Sequence, residues 1–306
     1  MILCVCPNPS IDTYAWMPDF TKGDVNRMTR TAEFPGGKAT HVALALAELG
    51  AEAELMGVWA GGAGQWIQQA SKEKGVSCSG PTVSGNNRKC FTFRSDDPQF
   101  DNTELLEPGP ELSQEDWNRF LETFKARLKE ADFICMSGSW PKNAPDDAYR
   151  QLLDLAAARN KKVLLDCSGK QLEEAMKTGC FGLHVNQSEA EKFCGSSNLK
   201  DLLEKLDGKV DLVALTKGAK GLELYYNQEV VHAKVEIPHV VSTVGSGDCL
   251  TAGIAYALTQ EEITVKEIAA YGVACGAANC LIEDLGMLQN SDVQELLHKV
   301  QFREII

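Results

Sequence analysis

Several protein classes are excluded by what this chain does not contain. No apolar run reaches the roughly 20 residues that a membrane-crossing helix requires. Met1-Ile2-Leu3-Cys4-Val5 has no basic n-region, so a secretory signal is not expected and a cytoplasmic location is. Positive charge is scarce: 30 Lys and Arg face 43 Asp and Glu, a net charge of −13. Such a surface has no general attraction for nucleic acid or anionic membrane, so an anionic ligand must be held by a local basic cluster against the overall field. Zinc spacing is missing too. The eleven cysteines run from Cys4 to Cys280 with no Cys-x-x-Cys and no convincing partnership with histidine. They read as reduced core thiols, and Cys4 and Cys6 alternate within an apolar run as small buried hydrophobes do. No internal repeat or low-complexity tract stands out, and the Gly-x-x-x-x-Gly-Lys-Ser/Thr phosphate loop does not occur.

What is there suits an α/β protein. The 306 residues are 44% hydrophobic, ample for one large domain or two smaller ones. Short apolar runs at 2–6, 54–58, 133–136, 163–165, 183–185 and 212–215 read as buried strands. Amphipathic segments lie between them, including 42–49, 66–71, 117–129, 147–157, 169–177 and 199–206. That alternation predicts a parallel sheet with helices on both faces. Segments 12–34 and 88–107 break the rhythm, with polar and apolar residues alternating as in β-hairpins. They predict a small β-lid over the carboxyl ends of the sheet, the edge where open α/β sheets bind ligands. A turn at 227–229 predicts an antiparallel edge.

The chemistry-bearing stretch is Val244-Gly245-Ser246-Gly247-Asp248, which opens a run of helical character. Glycines there let backbone N–H groups converge on an anion, and a helix N-terminus adds partial positive charge. A carboxylate at that edge can take the proton of a hydroxyl attacking a phosphate. Asp248 would serve equally as a helix cap. Asp12, in Asn8-Pro9-Ser10-Ile11-Asp12, sits at the carboxyl end of the first strand, where it can accept from sugar hydroxyls; turn capping is the plainer reading. Pro35-Gly36-Gly37-Lys38 opens the first strong helix, allowing close ligand approach beside a cation, unless Lys38 is simply solvated.

Asn8 to Asp12, Gly36 to Lys38, Glu104-x-x-Glu107-Pro108-Gly109-Pro110, Ser137-Gly138-Ser139 and Gly245 to Asp248 occur in one order. That order resembles the ribokinase-like (PfkB) carbohydrate kinases, and more narrowly their hexose-phosphate branch, over about Ile2 to Glu283. The resemblance implies a three-layer α/β/α fold with a mostly parallel central sheet and a β-sheet lid, one domain over 1–306. It implies Asp248 as general base, with Gly245, Ser246 and Gly247 forming the anion hole. Asp12, Gly36, Gly37, His41 and Gly138 would meet the sugar, and Arg27, Lys38 and Arg88 its phosphate. Asn186, Thr216, Lys217, Gly218, Gly221 and Asn279 would hold ATP, with Glu189 ordering Mg²⁺. Relatives that pair their lids imply a homodimer.

Four positions depart from that pattern. His41 replaces a sugar-holding asparagine, Ser242 an acidic or amide residue, and His184-Val185 a Lys-Pro pair, while Lys217 stands in a loop that is usually apolar there. The expected reaction is ATP-dependent phosphorylation of a ketohexose monophosphate, with fructose 1-phosphate ahead of tagatose 6-phosphate. The rivals are a kinase for an unphosphorylated sugar or nucleoside, and a catalytically silent sugar-phosphate sensor.

Overall fold

The computed structural model describes residues 1–304. Its strands are β1 (Ile2–Cys6), β2 (Ser10–Trp16), β3 (Arg30–Gly36), β4 (Ala53–Gly57), β5 (Trp59–Ala60), β6 (Ser77–Ser79), β7 (Thr82–Val83) and β8 (Arg88–Arg94). They continue with β9 (Thr103–Leu106), β10 (Phe133–Ser137), β11 (Lys162–Asp166), β12 (Cys180–Asn186), β13 (Val210–Thr216), β14 (Leu222–Tyr226), β15 (Glu229–Lys234) and β16 (Gln301–Glu304). The helices are α1 (Lys38–Glu48), α2 (Gly61–Glu73), α3 (Gln114–Arg127), α4 (Ala148–Ala157) and α5 (Gly169–Ala175). After them come α6 (Gln187–Cys194), α7 (Leu199–Leu206), α8 (Ser246–Leu258), α9 (Val265–Asn279) and α10 (Asn290–Leu297).

Ten strands form the central sheet in the order β16-β15-β14-β13-β12-β11-β10-β1-β4-β6. Strands β6 to β13 of that order are parallel, and β14, β15 and β16 add the antiparallel edge. Asn227 and Gln228 take φ of 50° and 63° in the β14–β15 turn, the left-handed geometry that matches strand twist in a two-residue hairpin. Strand β1 shows why the sheet needs cover on both faces. Ile2, Cys4 and Cys6 enter one apolar core while Leu3 and Val5 enter the other. Helices α1, α8 and α9 pack on the first face, α3, α4 and α7 on the second. All eleven cysteines are free thiols, as the scattered spacing implied.

The two irregular segments form a second sheet, ordered β3-β2-β8-β9. Each segment is a hairpin, and the two join through a parallel β2–β8 pair. Three helices start earlier than expected, among them α3, which begins at Gln114 behind the Ser113 capping box. Helix α1 begins at Lys38 because Gly37, at φ 97°, ends the preceding strand abruptly. Helix α2 begins at Gly61, where three glycines mask its first turn in the sequence pattern.

Candidate active site

The carboxyl ends of the parallel strands open into a cavity of about 1240 Å³, walled on the far side by the lid. Strand ends put Asn8, Gly138, Asp166, Asn186 and Thr216 on its floor, while β2, β8 and β9 supply Asp12, Arg88 and Glu104.

Helix α8 points its N-terminus into this cavity. Gly245 caps it at φ 86°, and a Cβ there would meet the Gly286 backbone at 2.5 Å. Only glycine suits both the angle and the contact. The first-turn N–H groups have no carbonyl four residues earlier, so Gly247 and Asp248 bring donors to the cavity edge. Asp248 itself is 8% exposed and makes no side-chain cap. Its carboxylate is turned instead toward α1.

There His41 is buried between two carboxylates. Its Nδ1 lies 2.8 Å from Asp248 Oδ2, and its Nε2 lies 3.2 Å from Asp12 Oδ2. Burial is the strongest influence on the ring and works against its charge. Hydrogen bonds and charge from Asp12 and Asp248 outweigh it, and the ring's pKa is pushed up to about 10. For Asp12, burial again works against charge, but His41, the Ser10 hydroxyl at 2.6 Å and the Gly37 N–H at 3.4 Å lower its pKa. The tight fit leaves no room for a side chain at Gly36, whose Cβ would overlap the Asp12 carboxylate.

A second, partly buried network lies alongside. Lys38 donates to Asp166 Oδ1 at 2.8 Å and stands 3.9 Å from Glu189 Oε1. The charge of Asp166 raises the Lys38 pKa against burial, with Asp248 and Glu189 adding to the effect. Burial opposes charge on Asp166, yet Lys38 and His184 hold it well below the usual carboxylate range. His184 also meets Thr251 Oγ1 at 3.0 Å and Thr216 Oγ1 at 3.3 Å. Asn186 and Glu189 close a capping box on α6: Asn186 Oδ1 accepts from the Glu189 N–H, and Glu189 Oε2 from the Asn186 N–H.

Of the expected residues, Asp12, Gly37, Lys38, His41, Arg88, Gly138, Asn186, Glu189, Thr216, Gly218, Gly221 and Gly245 to Asp248 line the one cavity. Four do not. Arg27 is exposed on the segment joining β2 to β3, so the three expected cations do not converge. Lys217 turns away to pair with Glu223. Asn279 is buried and donates to the Met287 carbonyl at 2.7 Å, holding the segment that contains Gly286 rather than facing a nucleotide. Gly36 lies beneath Asp12 rather than on the wall. Asp166 was missed, although a carboxylate ending the apolar run Val163-Leu164-Leu165 carries the strand-end signal expected of Asp12; Asp166 does end its strand, while Asp12 lies within β2. The roles of His184 and of Ser242, whose hydroxyl meets the Tyr14 hydroxyl at 2.5 Å, had no local signal.

A model of the pfkB family of carbohydrate kinases matches residues 7–286. The chain belongs to that family. It is thus a carbohydrate kinase, a phosphotransferase with an alcohol acceptor. A relative from Bacillus subtilis (strain 168), named 1-phosphofructokinase, is 29% identical over 310 residues, covering 98% of this chain and 99% of its own. A solved Thermotoga maritima protein described as a possible 1-phosphofructokinase superposes with a TM-score of 0.89 at 21% identity, covering 100% of both chains. Arabidopsis thaliana ribokinase, solved with ribose and ATP, superposes with a TM-score of 0.76 at 19% identity, covering 97% of this chain and 98% of its own. The fold is therefore ribokinase-like, as the motif order implied. No described helix is long and apolar enough to cross a membrane.

Proposed function

We propose that this kinase transfers the γ-phosphoryl group of MgATP to a hydroxyl of a ketohexose monophosphate, with fructose 1-phosphate the preferred acceptor. One observation carries the chemistry: Asp248, in the first turn of α8, stands in the same cavity as Asp12 and faces it across His41. Asp12 accepts from acceptor hydroxyls. The reacting hydroxyl gives its proton to Asp248 as its oxygen attacks the γ-phosphorus. The bond from that phosphorus to the β,γ-bridging oxygen breaks, ADP departs with the electron pair, and Asp248 returns the proton to solvent. Among the described residues Oδ1 of Asp248 takes no hydrogen bond, which suits a proton acceptor. The Gly247 and Asp248 N–H groups stabilise charge on the transferring group. Lys38, close to both Asp248 and Glu189, neutralises charge along the same line.

Asn186, Thr216, Gly218 and Gly221 form the nucleotide side in this reading, and Arg88 the phosphate contact of the acceptor. Among the described residues no group of three or more His, Cys, Asp and Glu forms a metal site. Magnesium keeps mostly water and phosphate ligands, so Glu189, with Oε2 used in the capping box, fits an ion carried in by the nucleotide. Bound there, it would neutralise phosphate charge. The whole-length likeness to a protein named 1-phosphofructokinase supports a phosphorylated acceptor. The exposed position of Arg27 favours the second reading, a neutral sugar, because it leaves fewer cations for a substrate phosphate.

Asp248→Asn tests the base. Turnover should fall by about 10²- to 10⁴-fold while the affinity for ATP stays within a few-fold. Near-normal turnover would remove Asp248 from this role.

A further inference from the structure

Both ring nitrogens of His41 lie against carboxylates: Nδ1 is hydrogen-bonded to Asp248 Oδ2 at 2.8 Å, and the buried Nε2 stands 3.2 Å from Asp12 Oδ2, within ion-pair range but without hydrogen-bond geometry. The ring is 3% exposed and is wedged against Gly286, where even a Cβ would overlap it. Its partners come from different parts of the fold. Asp12 belongs to lid strand β2, Asp248 to the first turn of α8, and His41 to α1. One imidazole thus joins the lid to two helices of the body where acceptor and phosphoryl group would meet. A neutral imidazole has one N–H and one lone pair, so it can satisfy only one of two carboxylates. The doubly protonated ring donates to Asp248 and brings its positive charge to within 3.2 Å of Asp12.

We infer that His41 acts as an imidazolium strut that holds Asp12 and Asp248 at a fixed separation. It is a positioning residue, and the inference rests on the roles proposed above for those two carboxylates. Because the ring is buried and its free Nε2 faces Asp12 rather than the cavity space, α1 offers the acceptor no hydrogen bond from this position, and the sugar is read through Asp12. Few other charged groups face the unit. Lys38, one turn earlier on α1, directs positive charge toward Asp248. Glu104 of β9 and the Cys90 thiol of β8 face Asp12 from the lid. The Gly286 segment meets the ring with backbone.

Nitrogen-15 NMR of the five histidines in the nucleotide-free protein tests the strut directly. At about pH 8.5, where an ordinary histidine is neutral, the His41 ring should still carry protons on both nitrogens. The signal is assigned by its loss in His41→Asn, with His41→Gln as the second variant should the first not fold. A neutral His41 ring at that pH overturns the strut, whatever the acceptor is. The kinetic readout is kcat against pH. The wild type should lose activity at alkaline pH as the ring deprotonates; His41→Asn should lower kcat by about 10²-fold at neutral pH, leave KM for MgATP within a few-fold, and lack that alkaline decline. A variant profile parallel to the wild type's, with kcat within about three-fold, overturns the positioning role. Absence of turnover in the wild type with every sugar would instead sink the phosphotransfer reading, and the NMR result would still decide the strut.

Discussion

Lys38 serves packing and chemistry at once. Asp166, its partner at 2.8 Å, has a side chain only 2% exposed, whereas that of Lys38 is 43% exposed. Removing the ammonium leaves a buried carboxylate with His184 as its remaining basic neighbour. Because Lys38 is partly solvated, Lys38→Met should destabilise by about 1–3 kcal/mol at neutral pH, below the loss for a fully buried pair. The sign of the pH effect follows from Asp166, whose pKa is lowered in the folded state. Such a group stabilises the fold above the ordinary carboxylate range, and the contribution is lost as pH falls through the lowered value. The gap in thermal midpoint between wild type and Lys38→Met should therefore narrow as the solution is acidified below that range. Calorimetry at a series of pH values checks this, and a gap that stays constant contradicts it.

Among the elements, strand β2 does most to assemble the site. Alternation puts Asp12 and Tyr14 on one face, so the same strand meets His41 and the Ser242 hydroxyl. Ser242 in turn accepts from the Val244 N–H at 3.2 Å, which steadies the approach to Gly245. Tyr14→Phe removes a buried hydrogen bond and should lower unfolding stability by about 1 kcal/mol. It should also lower kcat several-fold with little change in KM, because it loosens the anion hole rather than the sugar contact. Urea titration and steady-state kinetics read both, and unchanged values in both would show that the lid does not brace the loop. This coupling was invisible in the sequence, since 228 residues separate the two hydroxyls. The strands themselves were legible, because burial on both faces leaves continuous apolar runs such as Leu212-Val213-Ala214-Leu215. Asp248 was legible through its place at a helix start, whereas Asp12, expected at the end of the first strand, lies within lid strand β2, because the chain re-enters strand at Ser10 directly after the Asn8-Pro9 turn. Lys217 and Asn279 misled because nothing local distinguishes a cavity-facing side chain from one paired with Glu223 or with the Met287 carbonyl.

For the molecule as a whole, the parallel topology fixes where chemistry can occur, at the carboxyl edge beneath the lid. Against a net charge of −13, anion binding depends on the cations and helix termini gathered there. The fold fixes less about the acceptor, because that choice rests on a few lid side chains. Coupled ADP release from MgATP, measured with fructose 1-phosphate, fructose 6-phosphate, tagatose 6-phosphate, free fructose, ribose and adenosine, probes that choice directly. The account predicts turnover with the phosphorylated ketohexoses, highest kcat/KM for fructose 1-phosphate. Turnover confined to the neutral acceptors would contradict it.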